Sequence, residues 1–330
     1  MTSFRSPLLR HAAVTLALAS SALSLSACSS SSGSSSSGRS SDAAPAAAAP
    51  SAPVTVKGVP ISADGKLTAT LPEAIRKAGK VRVATDVPYP PFEMYVSEGS
   101  KEITGIDHDL GQAIGARLGV KFEFTGQKFD GLLPAVQAGK FDAVMSAMTD
   151  KKERQQAVDF VDYVNAGPGW LVRKGNPDGI KVVTDVCGKS VSVQTGTNHQ
   201  KILEQRQELC KQQGKPAITV LAFPKDSEAQ LALRSGKVSA DFLDEVTAAF
   251  VADTADNGTA FDTVTGKEAV GPTSASPIGI GISKSVPGLK EAVRAALQSL
   301  MDDGSYKKIL EAYHVPNIAI PQATINGALD

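Results

Sequence analysis

From Lys80 onward, short apolar runs alternate with longer stretches in which apolar residues recur every three or four positions. The short runs are of strand length, and the longer period is typical of amphipathic helices. The alternation occurs twice, on either side of Gly167-Pro168-Gly169. Because strands that alternate with helices form sheets covered by helices, the sequence predicts an α/β protein with two such units.

The predicted elements follow this apolar pattern in chain order. Leu110, Ile114 and Leu118 share one face of a helix, and Gly119 is expected to end it. The predicted strands span residues 81–85, 121–125, 142–146, 190–194, 218–222, 239–243 and 279–283. The predicted helices span residues 107–118, 132–138, 201–210, 227–235, 289–301 and 306–313.

The N-terminus has the pattern of a secretory signal. Arg5 and Arg10 precede an apolar run over residues 12–25. The run is shorter than the ~20 apolar residues of a membrane-spanning helix. It closes on the sequence LSAC, which resembles the lipobox of bacterial lipoproteins. That resemblance implies a signal peptide over residues 1–28 that ends at a lipidated Cys28. The alternative is an ordinary cleaved signal with a chance cysteine.

Residues 29–60 consist mainly of Ser, Gly, Ala and Pro. Such a segment buries too little apolar surface to offset the entropy of ordering, so it is predicted to be a disordered tether. At about 5.5 Å times the square root of its length, its mean reach would be about 30 Å. A folded body on this tether could move over a membrane partner.

The two cysteines that remain after Cys28 are expected to form a disulfide. Cys187 and Cys210 are an even pair in a chain predicted to be exported to an oxidising compartment. A metal site is the competing interpretation. With no CxxC motif and only His199 between them, the spacing is poor for zinc, so no metal is expected.

Composition argues against several classes of partner. Lys plus Arg and Asp plus Glu each total 34 residues, so the formal net charge is zero and no nucleic-acid partner is expected. Gly188-Lys189-Ser190 is a G-K-S tripeptide, but neither a complete G-x-x-x-x-G-K-[ST] motif nor a G-x-G-x-x-G motif occurs, so no nucleotide cofactor is expected either.

Three segments carry a resemblance to a known family. Residues 129–160, FDGLLPAVQAGKFDAVMSAMTDKKERQQAVDF, resemble the signature of the family 3 solute-binding proteins for polar amino acids. GIDHDL at residues 105–110 is similar to the family's G-[FY]-D-x-D-L element, and TDVPYPPF at residues 85–92 to its first strand and loop. The resemblance covers roughly residues 70–315.

The resemblance implies the type II periplasmic-binding-protein fold, in which each of two lobes is a mixed sheet flanked by helices and the ligand lies in the cleft between them. Lobe 1 would comprise residues 61–166 and 277–330, and lobe 2 residues 167–276. The chain would cross between lobes near Ala166 and again near residues 273–277.

In this family an Arg binds the ligand's α-carboxylate, and Arg154 is expected to do so here. A guanidinium suits a carboxylate because it donates two parallel hydrogen bonds. Arg154 follows Ser146 at the family's spacing, with Thr149 between them as a hydroxyl donor. Ser146 would offer its carbonyl or hydroxyl to the α-amino group. Ala147 stands where many members carry Ser or Gly, so it can contribute only backbone. Alternatively, Arg154 is a solvated residue of the charged run at 151–153.

Lobe 2 would complete the zwitterion site. Thr197 and Asn198 match the family's Q-G-T-T element at a helix start, although Asn198 could be a helix cap alone. Asp244 follows the predicted strand 239–243, where the family places an acidic residue that accepts the α-ammonium. Its neighbour Glu245 is the alternative, and Asp244 is favoured.

The ligand's side chain would meet residues of lobe 1. Tyr89 and Phe129 match family positions that sandwich it, and Asp86 matches one that contacts its polar end. Since Asp86 would repel an acidic side chain, the expected ligand is Arg, Lys, His or Gln. Ordinary core packing is the alternative for the two aromatic residues.

Together these features predict the substrate-binding component of an ABC importer. The expected partners are a free amino acid and a permease with its ATPase. The chain would be an extracytoplasmic monomer that touches the membrane through its lipid anchor only. Two alternatives remain open, a sensor lipoprotein and an enzyme on the same fold, such as a periplasmic dehydratase. An enzyme is disfavoured because His108, His199 and His314 accompany no recognisable nucleophile motif.

Overall fold

The computed structural model describes residues 52–271 and 275–328. The predicted signal peptide, Cys28, residues 29–51 of the predicted tether and residues 272–274 near the predicted second crossing lie outside this range. The strands are β1 (Val54–Val56), β2 (Val59–Ile61), β3 (Lys80–Thr85), β4 (Met94–Tyr95), β5 (Ile103–Thr104), β6 (Lys121–Gly126), β7 (Ala143–Val144), β8 (Val158–Ala166), β9 (Pro168–Arg173), β10 (Ser190–Gln194), β11 (Thr219–Phe223), β12 (Ala240–Asp244), β13 (Phe261–Val264), β14 (Ser276–Ser283) and β15 (Ala319–Ile325).

Helices connect most of these strands. The α-helices are α1 (Gly65–Thr70), α2 (Glu73–Ala78), α3 (Ile106–Leu118), α4 (Leu132–Gln137), α5 (Asn198–Gln212), α6 (Asp226–Arg234), α7 (Glu245–Thr254), α8 (Lys267–Val270), α9 (Leu289–Asp302) and α10 (Ser305–Ala312). Short 3-10 segments lie at Phe129–Gly131, Arg154–Gln156, Val183–Val186, Ala255–Gly258 and Pro316–Ile318.

Lobe 1 is built on a six-stranded mixed sheet in the order β15-β8-β14-β7-β3-β6. β3 pairs in parallel with β6 and β7, whereas β14 is antiparallel to β7 and β8. The helices α3 and α9 cover one face, and α4 covers the other. As predicted, Gly119 ends α3 in the left-handed conformation, with a φ of 71°.

Lobe 2 is built on a five-stranded mixed sheet in the order β11-β10-β12-β9-β13. Alternate residues of β12 face opposite sides, so Phe242 packs towards α5 and Leu243 towards α6 and α7. The predicted disulfide is present between Cys187 and Cys210, which lies near the end of α5. The predicted α/β architecture with two mixed sheets is confirmed.

The two connections between the sheets, and the direction of the strands, determine where a ligand site would lie. The chain passes from β8 to β9 through Gly167 alone, and it returns from β13 in lobe 2 to β14 in lobe 1. β3, β7, β10 and β12 are oriented so that their carboxyl ends lie at the cleft between the lobes. Open α/β sheets bind ligands at this end of their strands.

The predicted tether extends too far along the chain. Instead of disorder up to residue 60, β1 and β2 form an antiparallel hairpin that contacts lobe 1. Val56, Val59 and Ile61 are buried there, because their side chains complete the apolar surface next to α3 and α10. The hairpin therefore belongs to the folded body.

Candidate functional site

A cavity lies between the two lobes, where the strands named above end. It is lined by every residue that was predicted to contact the ligand: Asp86, Tyr89, Phe129, Ser146, Ala147, Thr149, Arg154, Thr197, Asn198 and Asp244. Three residues that the sequence analysis did not select also line it: Glu93, Gln194 and His199.

Arg154 turns into the cavity and away from the neighbouring charged run. Its Nη1 donates to the Thr149 carbonyl at 2.9 Å and its Nη2 to the Gly196 carbonyl, across the cleft, at 3.1 Å. The guanidinium lies 5.6 Å from the centre of the Phe129 ring. Burial lowers the pKa of Arg154 to about 10, so it stays cationic at neutral pH. It is a fixed positive charge at one end of the cavity.

The buried carboxylate of Asp107 holds the backbone of the loop between β7 and Arg154. Ala147 has a φ of 42°, and its N–H donates to Asp107 Oδ2 at 2.7 Å. Asp107 Oδ1 accepts a 2.5 Å hydrogen bond from the Tyr163 hydroxyl. Asp107 thus fixes the conformation of the loop at Ala147 from beneath the cavity.

The Ser146 hydroxyl already has partners inside the protein. It accepts from the Asp86 N–H at 2.8 Å and donates to Glu93 Oε1 at 2.6 Å. Because this hydroxyl already accepts one hydrogen bond and its proton is directed at Glu93, the Ser146 carbonyl is the more available acceptor for a ligand.

The N-terminus of α5 supplies the lobe 2 wall. Thr197 is the helix cap, because its Oγ1 accepts from the Gln200 N–H at 3.2 Å. Asn198 is the first residue of the helix, so the suggestion that Asn198 is the cap is wrong. Thr197 and Asn198 lie where the positive end of the helix dipole favours an anion.

Asp244 ends β12 and is 5% exposed. Its Oδ2 accepts from the Tyr89 hydroxyl at 2.8 Å, and its own N–H donates to that hydroxyl at 3.0 Å. Burial raises the pKa of Asp244 to about 7, and the Tyr89 hydrogen bond opposes this rise. Glu245, the alternative acceptor, begins α7 and lines a separate groove.

His199 lies beside Asp244, with its Nε2 3.7 Å from Oδ1. Burial lowers the pKa of His199 to about 3, and the positive charge of Arg154 adds to this effect. His199 is therefore neutral at physiological pH. Its imidazole can donate one hydrogen bond and accept another without adding a charge to the cavity.

The two lobes are in direct contact around the cavity. Gln194 Nε2 of lobe 2 donates to Asp86 Oδ2 of lobe 1 at 2.5 Å, and burial raises the pKa of Asp86. Lys225 Nζ donates to the Val87 carbonyl at 3.2 Å. An ion pair between Lys201 and Glu153 crosses the mouth of the cleft. The cleft is closed in this structure.

Glu93 is the most informative residue that the sequence analysis missed. It is 1% exposed, and its carboxyl group lies against the buried carboxyl group of Asp107, to which it can hydrogen-bond only when one of the two carries a proton. Burial raises the pKa of Glu93 well above its usual value, and the negative charge of Asp107 adds to the rise. Its signal was its position directly after the motif at residues 85–92.

Lining carboxylates outnumber lining cations. Asp86, Glu93 and Asp244 can carry negative charge, whereas Arg154 is the one cation among the lining residues.

The helices of residues 52–271 and 275–328 include none with the length and apolarity of a membrane span.

Residues 81–316 match the sequence profile of the bacterial extracellular solute-binding proteins, family 3. The arginine-binding protein ArgT of Corynebacterium glutamicum is 30% identical over 263 residues, which cover 79% of this chain and 83% of that protein. A solved ancestral arginine-binding protein bound to arginine is 35% identical, with a TM-score of 0.62, over 71% of this chain and 98% of the other. The ancestral amino acid-binding protein AncCDT-1, a precursor of cyclohexadienyl dehydratase, is 34% identical, with a TM-score of 0.63, over 73% and 98%.

Proposed function

This chain belongs to the bacterial extracellular solute-binding proteins of family 3, and we propose that it captures a basic amino acid, arginine above all, for an ABC importer. The observation that carries the proposal is the charge arrangement of one closed cavity, with a single guanidinium and three carboxylates. The carboxylate of an amino acid zwitterion would pair with the guanidinium, and its ammonium group would pair with one of the three carboxylates. A cationic side chain offsets part of the remaining negative charge.

Arg154 is the proposed partner of the α-carboxylate. Its contact with the Phe129 ring and with two carbonyls keeps the fork in one orientation. A planar fork can make two charge-assisted hydrogen bonds to a carboxylate. Thr149 and the start of α5 at Thr197 and Asn198 would supply further donors.

Asp244 is the proposed partner of the α-ammonium. A buried carboxylate with a raised pKa gains from a cation beside it, because the opposite charge stabilises its ionised form. The Tyr89 hydroxyl holds its Oδ2, while Oδ1 lies on the side of His199. The Ser146 carbonyl would add a second acceptor.

The side chain of the ligand would extend towards Asp86 and Glu93. Two buried carboxylates side by side repel each other, and a guanidinium or ammonium that donates to Glu93 would offset the repulsion between Glu93 and Asp107. Arginine fits best because its fork can contact two carboxylate groups at once. The relatives named for arginine support this assignment.

Capture would work by a hinge motion of the two lobes. We assign residues 61–166 and 277–330, together with the hairpin before them, to lobe 1, and residues 167–276 to lobe 2. The short connection at Gly167 and the return into β14 would act as the hinges. Arg154 would bind ligand in the open form, and closure would bring Asp244 over it.

The cellular setting extends the proposal. We assign Cys28 as the lipidated residue that anchors a monomer to the outer face of the membrane, next to a permease with its ATPase. The match to extracellular binding proteins and the export pattern of the N-terminus support this location. We assign no catalytic activity, since the lining carboxylates are bonded to neighbours that restrain them and the named relatives bind amino acids.

Isothermal titration of the purified full chain, refolded to remove carried ligand, against the twenty amino acids tests this function. Arginine should bind at micromolar Kd or tighter, ahead of lysine, histidine and glutamine. Arg154→Ala should weaken binding by about 10- to 100-fold, the value of charge-assisted hydrogen bonds. The matched control is Arg234→Ala, which removes an exposed guanidinium of lobe 2 that pairs with Asp256. Binding of acidic amino acids, or an Arg154→Ala variant with wild-type affinity, would refute the assignment.

A further inference from the structure

We propose that residues 319–328, here called the C-terminal strap, position the loop that carries Arg154, and that Asp150 is the positioning residue between them. The inference deepens the proposed function and rests on it, because it assumes that Arg154 binds the ligand's carboxylate. The strap follows residue 316, where the match to the family profile ends.

The first part of the strap is an edge strand. β15 is antiparallel to β8, with Ala319 opposite Val164 and Ile325 opposite Val161. The register shifts between Ala319 and Thr324, so pairing resumes at the far end, where Thr324 lies opposite Asp162. The strap thus runs beside the strand that leads from the Arg154 loop to the hinge.

Asn326 fixes the turn after this strand. Its N–H donates to the Phe160 carbonyl at 3.0 Å, and its Oδ1 accepts from the Phe160 N–H at 2.8 Å. Its Nδ2 donates to Asp159 Oδ1 at 3.0 Å. Three hydrogen bonds from one residue set the direction in which the last residues of the strap leave the sheet.

The next two residues deliver backbone donors to two buried carboxylates. The Gly327 N–H donates to Asp162 Oδ2 at 3.0 Å, and the Ala328 N–H donates to Asp150 Oδ2 at 3.0 Å. A Cβ on Gly327 would lie 2.4 Å from Asp162 Oδ2, so a larger residue there would displace this carboxylate from its present position. The strap's end is built around these carboxylates.

Asp150 connects the strap to the Arg154 loop. It is 1% exposed, and both of its oxygens accept from Gln155 Nε2, at 2.9 and 3.1 Å. Gln155 directly follows Arg154 in the same 3-10 segment. The Asp150 N–H donates to the Pro277 carbonyl in β14 at 2.8 Å. One carboxylate therefore joins the strap to the segment that presents the guanidinium.

The hydrogen-bond donors of the strap also stabilise the two neighbouring buried carboxylates, Asp150 and Asp162. Asp150 and Asp162 repel each other, and burial together with this repulsion raises the pKa of Asp162 to about 6. Thr324 Oγ1, at 2.7 Å, and the Gly327 N–H oppose that rise, while the Ala328 N–H opposes the raised pKa of Asp150. Without them, the Asp150 carboxylate would turn towards solvent, because a buried acceptor that loses its donors is costly. That turn would release Gln155 and loosen Arg154.

The test compares L-arginine with L-argininamide, which keeps the cationic side chain and the ammonium but replaces the carboxylate by a neutral amide. The full chain and a variant that stops after Ile325 are titrated with both ligands. The truncation should weaken arginine binding by about tenfold and argininamide binding by less than about twofold. Asp150→Asn should lower the arginine-to-argininamide affinity ratio in the same direction. The control is Gln298→Ala, which removes a 3.0 Å hydrogen bond from the Ala323 N–H at the middle of the strap and should leave the ratio unchanged.

Equal losses for both ligands, or an unchanged ratio in the truncation and in Asp150→Asn, would overturn the inference and leave the strap a structural role alone. If the truncated chain binds neither ligand, the arginine-to-argininamide affinity ratio of the Asp150→Asn variant decides whether the inference holds. If the wild-type protein does not prefer arginine to argininamide, the carboxylate role of Arg154 fails, and the inference fails with it.

Discussion

Glu93→Gln should change ligand affinity and protein stability in opposite directions. The substitution keeps an oxygen that can accept from the Ser146 hydroxyl, so the local geometry is retained. It removes a negative charge that is 1% exposed and lies near Asp107. Arginine should therefore lose a partner, while the ligand-free protein loses an unfavourable buried charge.

The size of each effect follows from the contacts of Glu93. A hydrogen bond to a charged group contributes about 1.5–3 kcal/mol, which corresponds to about a 10- to 150-fold change in Kd. Glutamine carries no side-chain charge, so its Kd should change by less than about threefold. Because the pKa of Glu93 is raised by burial, its ionised form destabilises the fold at high pH, and the variant should melt at a higher temperature than wild type at pH 8.

Titration with arginine and glutamine, together with thermal melts of the ligand-free proteins, measures both effects. The matched control is Glu98→Gln, since Glu98 is exposed and outside the cavity. A Glu93→Gln variant that keeps wild-type affinity for arginine would refute the role of this carboxylate in side-chain recognition. An unchanged melting temperature would refute the inferred cost of its charge.

Three further predictions concern the cleft and lobe 2. Tyr89→Phe removes the hydroxyl that bonds twice to Asp244 and should weaken arginine binding by about tenfold in titration calorimetry, whereas Tyr95→Phe on the surface should not. The pKa of Asp244 is about 7, against an ordinary value of 3.8, so the folded protein takes up a proton in this window that the unfolded chain does not. Melting temperature of the ligand-free protein should therefore rise, and arginine affinity fall, as pH is lowered through 7; opposite slopes would contradict the assignment. Replacing Cys187 and Cys210 by Ser should lower the free energy of unfolding by about 3.5 kcal/mol in denaturant melts, with an unchanged arginine Kd where both proteins are folded; a smaller loss would indicate residual structure in the unfolded chain.

The parts of the site that could be predicted are local in sequence. Ser146 and Arg154 lie in one loop after β7, and Thr197 and Asn198 begin a helix directly after β10. The family resemblance points to such positions because its motifs are short and lie at strand ends. The structure brings these residues to one cavity, and their contact with a ligand stays a prediction.

The contacts across the cleft were not predictable in the same way. Asp86 and Gln194 are 108 positions apart, and Tyr89 and Asp244 are 155 apart. No periodicity or spacing encodes which side chains meet when two lobes close. Glu93 was missed for a related reason, since a Glu after an apolar run is usually exposed, and its burial depends on packing between separate elements.

Among the strands that were not predicted, the β1–β2 hairpin and β8 were missed for different physical reasons. In the β1–β2 hairpin, Lys57 and Gly58 form a turn with positive φ angles of 47° and 77°. This local signal was overridden by the Ser, Ala and Pro content of the residues before it. β8 was not predicted because Asp159 and Asp162 interrupt its apolar pattern. Both carboxylates accept hydrogen bonds from the C-terminal strap, which lies more than 160 positions away.

The hydrogen bonds between the lobes affect how much ATP an importer would hydrolyse when no amino acid is bound. Tyr89 with Asp244, and Gln194 with Asp86, connect the lobes through protein groups alone. Each such bond lowers the free-energy gap between open and closed forms, and a gap of about 2.7 kcal/mol would leave about 1% of ligand-free molecules closed. A transporter that recognises only the closed form would hydrolyse ATP for these empty molecules. The strength of the interlobe bonds would thus set a compromise between tight capture of a scarce amino acid and wasted turnover when it is absent.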